Sequence, residues 1–427
     1  MDVHKQNVMI LGFGVTGKSL AKSLINLKAK VFVFDEHFRK ESLDRECVIN
    51  VVSEKEVSTK LDSMNYLFKS PGVSPDHFLV QMAKKKKVPI VNDIELLFHY
   101  FPSEIVAVTG TNGKTTTVHM IAQALKNAGL KVFLGGNVGI PASEVFNDQY
   151  DIAVLELSSF QLENIDKFQA KVNVILNITP SHSERYINFE DYKKAKLNLL
   201  KNFDHLNNFF ITADTDSELY QLSNFKIDIA CELKKLSQQK LNLTNVFKKN
   251  FVFCLKVLEC LKIDKKYAYE MIENFKTINY RCQFIYKLGK IFVNDAKSTN
   301  WASTLEALRS SLEIMPEKSL TRCLILGGQL RNNDLNLSRE DKEEIESLCE
   351  VILTLGEAGE FICRDFSKAI NFGSLSKAFK NSLNCDVIIF SPGFPSFDQF
   401  QNYEHRGRIF NNLIEQLDWS EPSSSNI

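Results

Sequence analysis

Residues 108–117 read Val-Thr-Gly-Thr-Asn-Gly-Lys-Thr-Thr-Thr, between an apolar run, Ile105 to Val108, and a helix-forming run, Val118 to Leu125. Strand, glycine turn and helix in that order are the setting of a phosphate-cradling loop. Gly110 and Gly113 let backbone N–H groups approach phosphate oxygens, Lys114 meets the terminal phosphates, and the Thr115 hydroxyl reaches Mg2+. Thr111, Asn112 and Thr116 complete the loop. The general motif has glycine where this chain has Val108, so the tight Gly-Thr-Asn-Gly-Lys-Thr core is a more specific variant. A chance glycine turn ahead of a helix is the bland alternative, and the flanking strand and helix weigh against it. The chain is expected to grip a nucleoside triphosphate.

Strand, glycine turn and helix recur three times along the chain, which predicts α/β architecture with parallel sheets. The first unit runs from Val8 to Leu11 through Gly12-Phe13-Gly14-Val15-Thr16-Gly17, a helix from Lys18 to about Leu27, and Val31 to Phe34 ending in Asp35. This is a GxGxxG fingerprint with an acidic residue about twenty positions on. By itself it could hold a dinucleotide ribose, some other nucleotide diphosphate, or nothing. An NAD-dependent oxidoreductase built on it would leave the triphosphate loop unexplained. Ser70-Pro71-Gly72 ends a later strand, Asn92-Asp93-Ile94-Glu95 leads toward a boundary near Phe101-Pro102, and Lys84 to Lys87 reads as a solvated helix end.

Around the triphosphate loop stand further signals. Leu134-Gly135-Gly136-Asn137-Val138-Gly139 is a glycine turn suited to close approach by a ligand. Ile152 to Leu155 is a buried strand that delivers Glu156, followed by Leu157-Ser158-Ser159-Phe160-Gln161-Leu162-Glu163. Val172 to Leu176 leads into Asn177-Ile178-Thr179-Pro180-Ser181-His182. Parallel sheets place ligands beyond the carboxyl ends of their strands, so Glu156 and His182 are expected near the phosphates as Mg2+ ligands.

Composition narrows the classes. A chain of 427 residues exceeds a single core and suggests two or three domains. Lys and Arg total 52 against 52 Asp and Glu, so no basic footprint marks a nucleic acid or an anionic membrane as partner. The apolar runs are strand-length and no signal-peptide layout opens the chain, so a cytosolic protein is expected. Nine cysteines are scattered without a CxxC pair, which indicates neither a zinc site nor a disulfide framework.

Gly-Thr-Asn-Gly-Lys-Thr, Gly-Gly-Asn-Val-Gly, Glu-Leu-Ser-Ser-Phe-Gln-Leu-Glu, His182 and Tyr192-Lys193-Lys194-Ala195-Lys196-Leu197, in this order, resemble the Mur ligase family. Leu-Ser-Ser-Phe-Gln-Leu and Ser396-Phe397-Asp398-Gln399-Phe400 look like its D-glutamate-adding branch, and the likeness runs from about residue 8 to residue 410. The resemblance implies three domains: a Rossmann-like one over 1–98 for the UDP-linked substrate, a central P-loop ATPase one over 99–277 with a mostly parallel sheet, and a Rossmann-like C-terminal one over 278–427 for the amino acid. It implies ATP with two Mg2+ ions, UDP-N-acetylmuramoyl-L-alanine and D-glutamate as substrates, and a monomer. It assigns Val15, Thr16, Asp35, Ser70, Gly72, Asn137 and Ser158 to the UDP-linked substrate. Thr115, Glu156, His182 and Lys196 fall to the metal, with Lys196 carbamylated by CO2.

In the third unit the resemblance marks Arg281, in Tyr280-Arg281-Cys282-Gln283, as a phosphate contact. Within Asn294-Asp295-Ala296-Lys297-Ser298-Thr299-Asn300 it gives Asp295 to ATP, Lys297 to the substrate or transferring phosphate, and Thr299 to the incoming amino acid. Arg331, after Leu326-Gly327-Gly328, joins Ser396 and Tyr403 in the D-glutamate pocket, a core aromatic being the other reading of Tyr403. The sequence also departs from the family. Ser181 replaces an aspartate, Gln283 a glutamate, and Phe247-Lys248-Lys249-Asn250 matches the usual helix start only at Asn250, which is carried over to ATP. A non-catalytic nucleotide-binding relative, or a ligase for another amino acid, is the alternative. The polar stretch Ser420 to Ile427 reads as a disordered tail.

Overall fold

The computed structural model describes residues 1–37, 50–182, 185–213, 217–238, 241, 243–273, 278–317, 319–331 and 337–417. The tail from Ser420 and Cys47 lie outside them.

The first sheet comprises β1 (Asn7–Leu11), β2 (Lys30–Phe34), β3 (Asn50–Val51), β4 (Tyr66–Lys69) and β5 (Ile90–Val91), in the order β3-β2-β1-β4-β5 and parallel throughout. Its strands alternate between two apolar layers. Val8, Ile10, Val31 and Val33 point into one, and Met9, Leu11, Phe32 and Phe34 into the other. Burial on both faces explains why these segments read as unbroken apolar runs.

The second sheet contains β6 (Glu104–Thr109), β7 (Val132–Gly136), β8 (Ile152–Glu156), β9 (Val172–Ile175), β10 (Phe209–Thr212) and β11 (Phe225–Lys226), in the order β11-β10-β9-β6-β8-β7, again parallel. After β6 the chain builds β7 and β8 on one side and then crosses to β9 on the other. The switch beside β6 opens the crevice into which a parallel sheet delivers its ligand-binding loops. The phosphate-cradling loop leaves β6 at that end, and the helix Lys114–Asn127 follows it directly.

These two sheets belong to one compact unit, Met1–Leu241 with Lys249–Asn274; Asn242–Lys248 and Phe275–Ile427 form a second. Inside the first unit, Glu95 ties the sheets together, its carboxylate accepting the backbone N–H groups of Asp166, Lys167 and Phe168. The Asn92 side chain caps the helix Asp93–Tyr100 and also donates to the Gln161 carbonyl.

The second unit holds β12 (Gln283–Lys287), β13 (Lys290–Asn294), β14 (Arg322–Gly327), β15 (Val351–Leu355), β16 (Ala369–Gly373) and β17 (Val387–Gly393), in the order β12-β13-β17-β14-β15-β16. One edge of this sheet departs from the parallel pattern expected of the sequence. β12 and β13 pair antiparallel across Leu288-Gly289, both at positive φ (52° and 71°), while the other neighbours are parallel. A strand–turn–helix pattern does not reveal such an edge hairpin, because a two-residue turn leaves no helix between its strands.

Among the described cysteines all are free thiols, with Cys231 exposed, Cys363 half-buried and the rest buried. No helix of the described residues is long and apolar enough to cross a membrane.

Candidate active site

The loop after β6 is shaped by its glycines. Gly113 sits at φ 85°, and a Cβ there would stand 2.7 Å from the Asn250 Oδ1. Asn250 in turn accepts a hydrogen bond from the Thr117 hydroxyl at 3.2 Å, so the residue carried over from the partly matching helix start does pack on the loop. Asn177 clasps the loop from β9, accepting from the Asn112 N–H at 3.0 Å and donating to its carbonyl at 3.1 Å. Nothing local in the sequence couples Asn177 to Asn112, which stand 65 positions apart. Lys114 donates from Nζ to the carbonyls of Gly110 and Thr111 at 2.8 and 2.9 Å, which curls the cation over the loop. Thr116, buried beside Thr115, lies in the first turn of the helix.

Thr115 and Glu156 come together. The Thr115 hydroxyl donates to Glu156 Oε2 at 2.6 Å, and Glu156 Oε1 accepts from the Asn137 amide at 2.8 Å. The carboxylate is buried at the end of β8. No group of three or more His, Cys, Asp or Glu among the described residues could cage a metal. The donors that are present, a hydroxyl and one carboxylate beside a phosphate loop, fit Mg2+, which takes few protein oxygens and keeps waters and phosphate oxygens.

Lys196, 1% exposed, donates from Nζ to the Gly110 carbonyl at 2.8 Å and lies 4.7 Å from the centre of the Tyr192 ring. Burial, then the Lys114 cation, hold its amine well below the usual lysine range, against the opposing pull of Glu156. His182 adopts φ 58° and packs its ring 5.0 Å from Phe160 and 5.9 Å from Tyr192. The Tyr192 hydroxyl meets Thr111 Oγ1 at 3.1 Å, which links the helix Phe189–Leu197 to the loop.

A second feature of this unit is a cavity of about 340 Å3. Val15, Thr16, Ser70 and Gly72 from the first sheet line it, and Asn137 and Gln161 close it from the second. Four residues assigned to the UDP-linked substrate therefore share one wall with Asn137 opposite. Asp35 is placed otherwise: its carboxylate accepts the N–H groups of Phe13 and His37 at 2.6 and 2.8 Å and steadies the glycine turn. Ser158 caps the short helix Ser159–Leu162 in a capping box with Gln161. Its hydroxyl is engaged locally, a role that its position ahead of an apolar run could have signalled.

In the second unit the carboxyl ends of β13, β14 and β17 carry the candidates. Asn294 pairs with Phe390, and Gly327 with Gly393, so these ends lie side by side. Arg331 donates to the Thr299 carbonyl at 2.9 Å, and Lys297 Nζ stands 3.7 Å over the Tyr403 ring. Tyr403 is thus a half-buried ring under a cation, not a core aromatic. Asp295 accepts from the Cys282 N–H at 3.1 Å and the Ser391 hydroxyl at 2.8 Å, and burial pushes its carboxyl up to about 7. Arg281 neighbours Cys282 in the same turn. Ser396 is buried at the start of the turn in which its carbonyl accepts the Phe400 N–H. Of the departures from the family pattern, Phe247 is a buried core residue, and the Gln283 side chain accepts the Tyr280 N–H.

Comparison with known proteins bears on both units. Residues 6–92 match the N-terminal domain of MurD-like Mur ligases, and residues 108–282 match the Mur ligase middle domain. The UDP-N-acetylmuramoylalanine–D-glutamate ligase of Francisella tularensis subsp. novicida (strain U112) is 30% identical over 443 residues, covering 96% of this chain and 96% of that protein. The crystal structure of a UDP-N-acetylmuramate–alanine ligase from Thermotoga maritima superposes with a TM-score of 0.57 at 17% identity, over 95% of this chain and 98% of that one. A MurF ligase from the same organism, in complex with ADP, gives 0.56 at 16%, over 97% and 96%. At these identities the two structures speak to the fold.

Proposed function

The chain belongs to the Mur ligase family, and from that premise we propose that it joins D-glutamate to UDP-N-acetylmuramoyl-L-alanine at the expense of ATP, in peptidoglycan precursor synthesis. The observation that carries the reading is similarity to a D-glutamate ligase along 96% of both chains, with the phosphate-cradling loop and the Thr115–Glu156 pair inside the matched part.

A carboxylate does not react with an amine near neutral pH, so the γ-phosphoryl group of ATP first passes to the alanyl carboxylate and makes phosphate the leaving group. The D-glutamate amine then attacks the acyl phosphate and phosphate departs. In this reading the protein positions the reactants and neutralises charge. Lys114 and Arg281 face the phosphates, Gly110 to Thr116 and Asn250 shape the ATP site, and Asp295 contacts ATP. Lys297 serves the transferring phosphate, and Arg331, Thr299, Ser396 and Tyr403 receive D-glutamate, for which a fixed cation and hydroxyl donors suit a dicarboxylate. Val15, Thr16, Asp35, Ser70, Gly72, Asn137 and Ser158 serve the UDP-linked substrate.

Thr115, Glu156, His182 and Lys196 would hold two Mg2+ ions, which neutralise charge on the phosphate oxygens. A buried amine of lowered basicity gives up its proton more readily and can then add to CO2, losing a second proton and becoming a carbamate with hard oxygen donors, whereas an ammonium could not ligate a cation. The proposed domains are 1–98 for the UDP-linked substrate, 99–277 for ATP and 278–427 for the amino acid. A monomer working in the cytoplasm, where ATP and UDP-sugars are held, completes the reading.

The test is an ADP-release assay with purified protein. Sustained ADP formation should require both UDP-N-acetylmuramoyl-L-alanine and D-glutamate, and mass spectrometry should find the product with one added glutamyl residue. Turnover with L-alanine or a diamino acid in place of D-glutamate would transfer the protein to another ligase specificity. No ADP with any of them would leave a non-catalytic nucleotide-binding relative.

A further inference from the structure

Arg185, three residues beyond His182, spans the two sheets of the first unit. Its Nε and one terminal nitrogen donate to the two oxygens of Glu163 at 3.1 and 2.6 Å, a fork-on-carboxylate geometry that fixes the guanidinium plane. The same group stacks 4.6 Å over the Phe160 ring. Its other terminal nitrogen reaches across to the Val73 carbonyl at 3.1 Å. Tyr186 donates to Glu163 Oε1 at 2.8 Å, so the carboxylate is held from two sides. Both ends are sheltered, with side-chain exposures of 10% for Arg185 and 16% for Glu163, so the pair is not an ordinary solvated ion pair.

Val73 belongs to the wall of the 340 Å3 cavity, in the turn Ser70-Pro71-Gly72-Val73. Lys69 holds the same carbonyl from behind at 2.9 Å, from the end of β4. At its other end, Arg185 is anchored through its own N–H to the His182 carbonyl at 2.9 Å. One side chain therefore connects the backbone of the cavity wall to the segment that carries His182. Its orientation is set by Glu163, two residues beyond the cavity-lining Gln161.

We infer that Arg185 is a positioning residue that holds the Ser70–Val73 wall of the cavity in register with the His182 segment, with Glu163 acting through it, so that the sugar-nucleotide carboxylate is presented to the phosphoryl group. The inference rests on the reading of that cavity as the site of the UDP-linked substrate. Arg185 is assigned no contact with substrate. Its effect is on where the wall stands, and it should fall on the UDP-sugar more than on ATP.

Calorimetric titration of the full chain with UDP-N-acetylmuramoyl-L-alanine, and separately with MgADP, tests it. Arg185→Met should weaken the UDP-sugar by about tenfold, the scale of one lost charge-assisted hydrogen bond, and leave MgADP within about twofold. Arg185→Lys, which keeps the charge and one of the three contacts, should recover part of the loss. Glu163→Gln should show a smaller selective loss, and the double variant should bind no more weakly than Arg185→Met, because the two act as one element. Unchanged UDP-sugar affinity in Arg185→Met overturns the inference. If that variant loses MgADP as well, the isosteric Glu163→Gln decides: a selective UDP-sugar loss supports the strut, and unchanged binding overturns it. A parent protein that binds MgADP but not the UDP-sugar defeats the reading of the cavity, and the inference with it.

Discussion

Arg331 and Lys196 show how single side chains carry distinct parts of the proposed chemistry. Arg331→Ala removes the cation beside Thr299 and should raise the KM for D-glutamate by about 10- to 100-fold, the scale of a lost charge-assisted contact, with much smaller changes for ATP and the UDP-sugar. Steady-state kinetics with each substrate varied in turn checks this, and a shift confined to ATP would move Arg331 to the nucleotide site. Lys196→Ala should be nearly inactive and partly restored by acetate, which supplies carboxylate oxygens where the carbamate would stand; full activity without acetate would make the lysine a packing residue. Asp93 poses a pH question outside the chemistry. It is 1% exposed, and burial outweighs the nearby backbone N–H groups of Ala142, Asp93 and Ile94 and raises its carboxyl from the ordinary 3.8 to about 6. The folded state thus holds a proton that the unfolded chain releases at lower pH. The stabilisation is complete below pH 4 and is lost as pH rises through 6. Asp93→Asn should match the parent near pH 4 and exceed it by on the order of 3 kcal/mol at pH 8. Urea unfolding at the two pH values measures the difference, and a constant gap would refute it.

At the scale of elements, the ends of parallel strands are held by backbone as much as by side chains. Gly136 closes β7 at φ 104°, where a Cβ would come 2.4 Å from the Glu156 carbonyl, and the next residue, Asn137, donates its N–H to that carbonyl at 2.8 Å. Gly139, at φ 71° in the same turn, faces open space. Gly136→Ala should therefore cost more than the roughly 1 kcal/mol of strain expected of Gly139→Ala, and should lower turnover by displacing Glu156. Thermal melts and ADP release for the two variants make the comparison; equal effects would show that close approach at β7 does not matter. The glycine turn was legible as a ligand-approach feature, but which of its glycines tolerates a side chain depends on β8, sixteen residues further on.

For the whole molecule, contacts gather into two units, and the triphosphate loop lies wholly in the first. Calorimetry should accordingly show two unfolding transitions. MgADP should raise one of them in proportion to the logarithm of its concentration, and Phe390→Ala, in the core of the third sheet, should lower the other by an amount consistent with about 3–5 kcal/mol. A single transition moved by both would mean that the units unfold as one.

The triphosphate loop, the GxGxxG turn and the parallel α/β pattern could be read from the chain alone, because each depends on residues within a few positions of one another: glycines that permit a turn, an apolar run that forms a strand, a helix that begins beside a phosphate. What joins Thr115 to Glu156 across 41 positions, Thr299 to Arg331 across 32, and Val73 to Arg185 across 112 was settled only by strand order and packing. So was the state of Asp93, which depends on complete burial. The antiparallel hairpin at β12 escaped the periodic reading, since its two-residue turn carries no helix. Local geometry is written in neighbouring residues; proximity between distant ones, and the desolvation that shifts a proton, exist only once the sheets have packed.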